Sequence, residues 1–290
     1  MKLTEEQVEE IVKLYKEGMS LRAIGDRFSI RHESVYHMLR RRGIKMRPRI
    51  GPGSTRKCHE LDYTYFDVID TEKKVYWIGF IMADGNIYHK KGTASYRFSM
   101  GLKTPDIGHL VKLRTALNST HQIYTDNRPI PRLDFTNEYF CKTLIKHGIV
   151  PCKSYEELLP PKMPNELLKH FWRGYFDGDG SLYVTKNRSA KCGKSWGLNL
   201  LGSRTLLESF VNWTCSQGLL GSRPTLHRTR PNSKTFEVKI RKKSEVYNVA
   251  KTLYEGSTVY LDRKMERYLQ LKKACSANSA QLLLFNSTER

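Results

Sequence analysis

No apolar stretch in this 290-residue sequence approaches the ~20 residues that a membrane-spanning helix needs. Cysteines are few: six, at 58, 141, 152, 192, 215 and 275, with no C-x-x-C pair among them. Such spacing builds no zinc framework and suits a reducing compartment. Cys58 and His59 are neighbours, read as a loop thiol beside a surface imidazole. There is no G-x-S-x-G and no evident Ser-His-Asp arrangement, so a protein nucleophile is not expected. Acidic residues are scarce, 29 Asp+Glu against 50 Lys+Arg, a formal net charge of +21. An excess of that size repels itself and calls for an anionic counterpart. The opening MKLTEEQVEE is acidic and polar, unlike a signal or transit peptide. Nucleic acid is therefore favoured over an anionic membrane. The expected compartment is the cytoplasm, with an organelle left open.

What is present fills roughly two domains of about 150 residues each. Thr4 and Gln7 form a capping box ahead of an amphipathic helix over 4–17, with Val8, Ile11, Val12 and Tyr15 on one face. Gly18 stops it. Ser20 caps a second short helix carrying Leu21, Ile24 and Phe28, and a third spans about 31–42 with Val35 and Leu39 inward. This rhythm resembles a helix-turn-helix module over residues 1–45. Arg31, His32, Tyr36, His37 and Arg40 on the third helix would suit a DNA major groove. Residues 46–59 read as a basic linker, in which Arg47 and Arg49 flank Pro48 either as a minor-groove contact or as a plain tether.

Beyond residue 60 helical and strand patterns alternate. From Tyr96 to Lys103, Tyr96, Phe98, Met100 and Leu102 point one way while Arg97, Ser99, Gly101 and Lys103 point the other. Phe236, Val238 and Ile240 alternate likewise with Glu237, Lys239 and Arg241. These sheets have one open polar face, a reasonable surface to lay along a duplex.

An internal repeat then emerges. Trp77-Ile78-Gly79-Phe80-Ile81-Met82-Ala83-Asp84-Gly85 returns as Trp172-Arg173-Gly174-Tyr175-Phe176-Asp177-Gly178-Asp179-Gly180. Each copy reads as a helix ending at Asp-Gly, with Gly85 and Gly180 suited to a positive-φ cap. Gly79 and Ala83, like Gly174 and Gly178, lie four apart, a spacing that lets two helices meet backbone to backbone. Asp84 and Asp179 would then meet at a pseudodyad, where paired carboxylates repel unless a divalent cation joins them.

The repeat resembles the LAGLIDADG homing endonucleases over roughly residues 60–270. The resemblance implies an α+β protein of two pseudosymmetric αββαββα units, 60–162 and 163–274, with saddle-shaped antiparallel sheets. The all-α helix-turn-helix domain would precede them and a tail over 275–290 would follow. It implies a monomer that needs no obligate protein partner and makes a staggered, metal-dependent double-strand break in a long DNA target. Asp84 and Asp179 would bind Mg²⁺ (Mn²⁺ or Ca²⁺ substituting for binding), aided by the carbonyls of Ala83 and Gly178. Met82 departs from the motif's sixth position and Asp177 keeps it, as a structural rather than catalytic residue. The family's late basic residue falls on Lys153 and Lys264, near the scissile phosphates. A polar strand position falls on Ser99 and Asn199, with Lys103 and Ser203 four residues on; only Lys103 would give a strong phosphate contact. With the outward residues above, Arg97, Ser99, Asn199, Glu237, Lys239 and Arg241 would line the DNA. The alternatives are an RNA maturase partnering a group I intron RNA, or a non-catalytic transcriptional regulator. An intein is disfavoured, because the chain opens with Met1 and lacks a terminal His-Asn.

Overall fold

Thr4 caps α1 (Glu5–Lys16) from both sides: its Oγ1 accepts from Gln7 N, and Gln7 Oε1 accepts from Thr4 N. The computed structural model describes residues 3–46, 59–89, 92, 95–125, 130–153, 156–186 and 194–287. Two compact units result, Met1–Cys58 and His59–Arg290.

In the first unit, α1 is followed by α2 (Leu21–Arg27), capped by Ser20, and α3 (His32–Arg41). Ile11, Tyr15, Ile24, Val35 and Leu39 form its core, as their helical spacing requires. Gly25 is closely packed: a Cβ there would stand 2.6 Å from the carbonyl of Ile30.

The second unit repeats one order of elements twice. The first pass is α4 (Glu72–Asp84), β1 (Gly85–His89), β2 (Tyr96–Gly101), α5 (Ile107–Ala116), β3 (Ile123–Thr125), β4 (Pro131–Thr136) and α6 (Glu138–Lys146). The second is α7 (Asn165–Asp179), β5 (Gly180–Lys186), β6 (Lys194–Gly202), α8 (Arg204–Ser216), β7 (Leu226–Arg228), β8 (Phe236–Ile240) and α9 (Lys243–Tyr254). Each pass is αββαββα, and α10 (Asp262–Ser287) follows. The expected tail from 275 is thus helical as far as Ser287. Among the described residues no helix is long and apolar enough to cross a membrane.

The sheets are antiparallel, ordered β1-β2-β4-β3 and β5-β6-β8-β7. Ile87, Phe98, Met100, Leu133 and Phe135 are buried in the first sheet; Leu182, Trp196, Leu198, Leu200, Val238 and Ile240 in the second. The strand expected over 96–103 ends at Gly101, and a 3₁₀ turn over Thr104–Asp106, with Pro105 inside it, follows Lys103. Registers match across the pseudodyad: Asn86 pairs Ser99 where Ser181 pairs Asn199.

The motif helices α4 and α7 pack against each other through their glycines. A Cβ on Gly79 would fall 2.1 Å from the Phe171 carbonyl oxygen, and one on Gly174 would fall 2.0 Å from that of Tyr76. Only glycine permits this approach.

Gly85 and Gly180 correct one expectation. Their φ values are −74° and −92°, extended rather than left-handed. The chain runs from helix directly into strand, and glycine is needed for space. A Cβ would meet Ile81 O at 2.6 Å in one case and the Phe176 ring at 2.1 Å in the other.

Candidate active site and nucleic-acid interface

Asp84 and Asp179 end the two motif helices, so the glycine contact between those helices brings their carboxylates together. A Cβ on Gly178 would touch Ala83 Cβ at 2.3 Å and Asp84 Oδ2 at 3.2 Å. The Asp84 carboxylate therefore lies beside the residue that precedes Asp179. Asp84 is exposed and Asp179 half-buried, so both are open to a ligand on one side. On the other side, the protein desolvates them. That desolvation, joined by the charge of Asp179, pushes Asp84 up to about 6, against the pull of Lys153, Lys264 and Arg263. Desolvation also raises Asp179, against Lys153, a hydrogen bond from Tyr175, and Lys264.

Lys153 and Lys264 are held inside this frame. Lys153 Nζ donates to the carbonyls of Ile81 at 3.1 Å, Met82 at 2.7 Å and Ala83 at 2.5 Å. Lys264 Nζ donates to those of Phe176, Asp177 at 2.8 Å and Gly180 at 2.7 Å. Each ammonium thus caps the last turn of a motif helix, where unpaired carbonyls and the helix dipole favour a cation. Desolvation lowers both lysines to about 8, with the nearby aspartates opposing it. The Ala83 carbonyl, expected to face a cation, already accepts from Lys153; the described contacts of Lys264 leave the Gly178 carbonyl free of it.

Asp177 is fully buried and belongs to the frame rather than the surface. Its Oδ2 accepts from Tyr76 Oη and Leu261 N, each at 2.7 Å, and its Oδ1 accepts from Tyr254 Oη at 2.5 Å. Tyr76 Oη also lies 2.9 Å from His109 Nε2. Since Tyr76 gives its proton to Asp177, His109 must be the donor in that pair. Burial lowers His109 to about 3, so the imidazole is neutral. One turn earlier, buried Arg173 donates to Glu72 at 2.7 Å and to the carbonyls of Leu253 and Val259, each at 2.9 Å.

No protein-family model matches the chain. The uncharacterised protein MJ0398 of Methanocaldococcus jannaschii is 30% identical over 148 residues, which are 50% of this chain and 51% of that protein. The chain thus spans about half the length of that relative. Among solved structures, the LAGLIDADG homing endonuclease I-GzeII in complex with DNA target superposes with a TM-score of 0.53 at 12% identity, covering 73% of this chain and 92% of that one. The meganuclease I-SmaMI bound to uncleaveable DNA gives 0.51 at 12% identity, covering 74% and 92%. This chain has the LAGLIDADG fold.

The open faces of the two LAGLIDADG sheets carry the remaining candidates. On the first, exposed Arg97 donates to Asp134 and, at 3.1 Å, to Tyr124 Oη; Tyr124 also donates to Asp134. Burial alone would raise Asp134, but hydrogen bonds from Ser99, Tyr124 and Arg97 hold it below the usual carboxylate range. Arg97 stands on the open face, as its alternation requires, and is part of a cluster there. On the second face, Asn199 Nδ2 donates to Glu237 at 2.8 Å and Lys239 pairs with Glu237 at 2.6 Å. Arg241 is exposed just past β8. Tyr183 lies across Gly197, whose Cβ would stand 2.4 Å from its ring. Lys103 is exposed at the end of β2 and is not among the cations acting on Asp84. Ser203 accepts from Leu158 N at 3.1 Å, so it holds a connection between elements.

In the N-terminal unit Arg31, His32, His37 and Arg40 are exposed, while Tyr36 is half-buried with Arg40 5.9 Å from its ring centre. Arg47 and Arg49 lie outside the described residues. Asp134, Tyr124, Tyr183 and Arg263 were not singled out from the sequence. The first three become visible once the strand register is known. The fourth is the immediate neighbour of Lys264.

Proposed function

We propose that the protein is a site-specific homing endonuclease making a divalent-metal-dependent, staggered double-strand break in a long DNA target. The observation that carries this reading is the meeting of Asp84 and Asp179 at the adjoining ends of α4 and α7 in a chain of net charge +21. Two desolvated carboxylates, with the charge of Asp179 raising Asp84 further, offer a hard, anionic oxygen donor set, which fits Mg²⁺. Among the described residues no group of three or more His, Cys, Asp or Glu side chains is placed to hold a metal. The remaining ligands would be waters, backbone oxygens and the phosphates themselves.

A bound divalent cation supplies Lewis-acid charge to a phosphate oxygen and to the attacking water. The protein's own residues do the rest. Asp84 and Asp179 would hold the cations by their carboxylate oxygens. Lys153 and Lys264 fix the carbonyls of the helix ends and so set where the two acids stand. The sheet residues Arg97, Ser99, Asn199, Glu237, Lys239 and Arg241 meet the flanking duplex, with base edges offered donors and acceptors together. Lys103 adds a cation at the end of β2, and the N-terminal unit lengthens the footprint through Arg31, His32, Tyr36, His37 and Arg40. The protein acts as a monomer, both half-sites being on one chain.

Selection of cleaved sites from a randomised duplex library in Mg²⁺ tests this. Wild-type protein should return one long site with a double-strand break. Asp84→Asn should bind that site with affinity within a few-fold of wild type and fail to cut at least one strand. Complete cleavage by that variant would remove the assignment.

A further inference from the structure

Lys153 and Lys264 carry the charge expected beside the scissile phosphates, yet neither has a donor left for one. An ammonium offers three N–H groups, and each lysine gives all three to backbone carbonyls. Arg263, the residue before Lys264, is differently placed. Its Nε donates to both oxygens of Asp106, at 3.1 and 3.0 Å. The Asp106 side chain is only 9% exposed, while that of Arg263 is 54% exposed. A guanidinium has five N–H donors, and the described contacts of Arg263 use the one on Nε. The arm is thus anchored at Nε, and its two terminal NH₂ groups make no hydrogen bond among the described contacts.

The position of that arm matters. Asp106 closes the 3₁₀ turn after β2, in the first LAGLIDADG unit, whereas Arg263 lies in the first turn of α10, after the second αββαββα pass. Arg263 therefore spans the two units. Its neighbour Lys264 caps the end of α7, where Asp179 stands, so Arg263 lies near the paired acids. It also lines a cleft of about 550 Å³ between β5 and α10, with Ser181, Tyr183, Lys264 and Arg267. Ser181 and Tyr183 belong to the open face of the second sheet, so the cleft adjoins the proposed DNA surface.

The pseudosymmetric image lacks this feature. Lys153 corresponds to Lys264, so Arg263 corresponds to Cys152, an exposed residue with φ 57°. No side chain there can donate to an anion as a guanidinium does.

We propose that Arg263 is a phosphate-binding residue of one half-site only: Asp106 holds its Nε while its terminal nitrogens clasp a DNA phosphodiester near the paired acids. One strand then depends on an arginine that the other strand lacks, and the two strands are cut at unequal rates. This deepens the nuclease reading and rests on it.

Full-length Arg263→Gln and Arg263→Lys, both able to keep a hydrogen bond to Asp106, test the proposal in two arms. In the first, affinity for a fixed duplex is measured against salt concentration in Ca²⁺. Arg263→Gln should flatten the log–log slope by about 0.9, the loss of one phosphate contact, and Arg263→Lys should restore it. In the second, the target is labelled on each strand. Arg263→Gln should slow one strand at least 10-fold, leave the other unchanged and accumulate a nicked duplex, with Arg263→Lys between it and wild type. An unchanged salt slope, or equal slowing of both strands, would overturn the proposal. Should wild-type protein cut no DNA at all, the nuclease reading falls, while the binding arm still decides whether Arg263 holds a phosphate.

Discussion

The two motif helices share Trp77/Trp172, Gly79/Gly174 and Asp84/Asp179, and differ in polarity elsewhere. Glu72 stands where the second helix has Leu167, Tyr76 where it has Phe171, Ile78 where it has Arg173 and Met82 where it has Asp177. The differing positions pair across the interface: Glu72 with Arg173, Tyr76 with Asp177. Their pseudosymmetric images, Leu167 with Ile78 and Phe171 with Met82, are apolar throughout. A two-fold interface between identical chains must be self-complementary; joining both halves in one chain releases it from that rule. Positions that must serve both sides alike, Gly79 and Gly174 at the backbone contact and the two acids, stay the same. The others have specialised into one polar seam and one apolar seam.

The sharpest test of the shared part is Gly174→Ala beside Gly79→Ala. Each methyl would press on a backbone oxygen at about the same distance, 2.0 and 2.1 Å. Neither helix can retreat without opening the core, so each substitution should destabilise by more than ~4 kcal/mol, the range reserved for core overpacking and backbone clashes. Denaturant unfolding measures it. A cost under ~1 kcal/mol at either glycine would show that the helices are not in backbone contact.

The acids should reveal their own asymmetry through pH. The folded Asp84 carboxyl sits at about 6, above its usual 3.8, so it binds its proton more tightly in the folded state. Its contribution to stability is therefore complete below about pH 4 and is lost as pH rises through about 6. Metal-free protein should lose melting temperature across that window. On the function proposed above, Mg²⁺ takes the proton's place at these acids and should raise the melting temperature more at pH 7 than at pH 5. Asp84→Asn should abolish most of both effects. A Mg²⁺ increment independent of pH in wild type would count against a shared cation at these acids.

Much of this architecture was legible in the sequence because it is local or periodic. The Thr4–Gln7 box, the alternation at Phe98 and Met100, and the doubled Gly…Asp-Gly all act within a few residues. The doubling alone placed both acids at helix ends. What escaped depends on long-range contact. Lys153 reaches carbonyls some 70 residues upstream, and Lys264 reaches others more than 80 upstream. The family resemblance put both near the scissile phosphates, but no local pattern says that a lysine will cap a helix instead of meeting a phosphate. The Arg97–Asp134 pair escaped because Asp134 lies on another strand, β4, and the register comes only with pairing. Gly85 and Gly180 were expected to supply positive φ, whereas their demand is for space; sequence does not distinguish those two uses of glycine.

The smallest of the expected effects bears most directly on the polar seam. Tyr76→Phe turns the first motif helix into its twin at that position, where Phe171 stands. The lost hydroxyl donates to Asp177 Oδ2 at 2.7 Å and accepts from His109 at 2.9 Å. Asp177 would keep Tyr254 and Leu261 N as donors, so the carboxylate stays satisfied in part. Leaving His109 without an acceptor adds a desolvation penalty, and the total should be about 1–3 kcal/mol. Asp177→Asn, combined with Tyr76→Phe, closes a double-mutant cycle, and contacting residues of one buried network should couple by about 0.5–3 kcal/mol. Additivity within ~0.3 kcal/mol would mean that Tyr76 and Asp177 do not work together. The two motif helices would then be held together by shape and by the Glu72–Arg173 pair rather than by this contact.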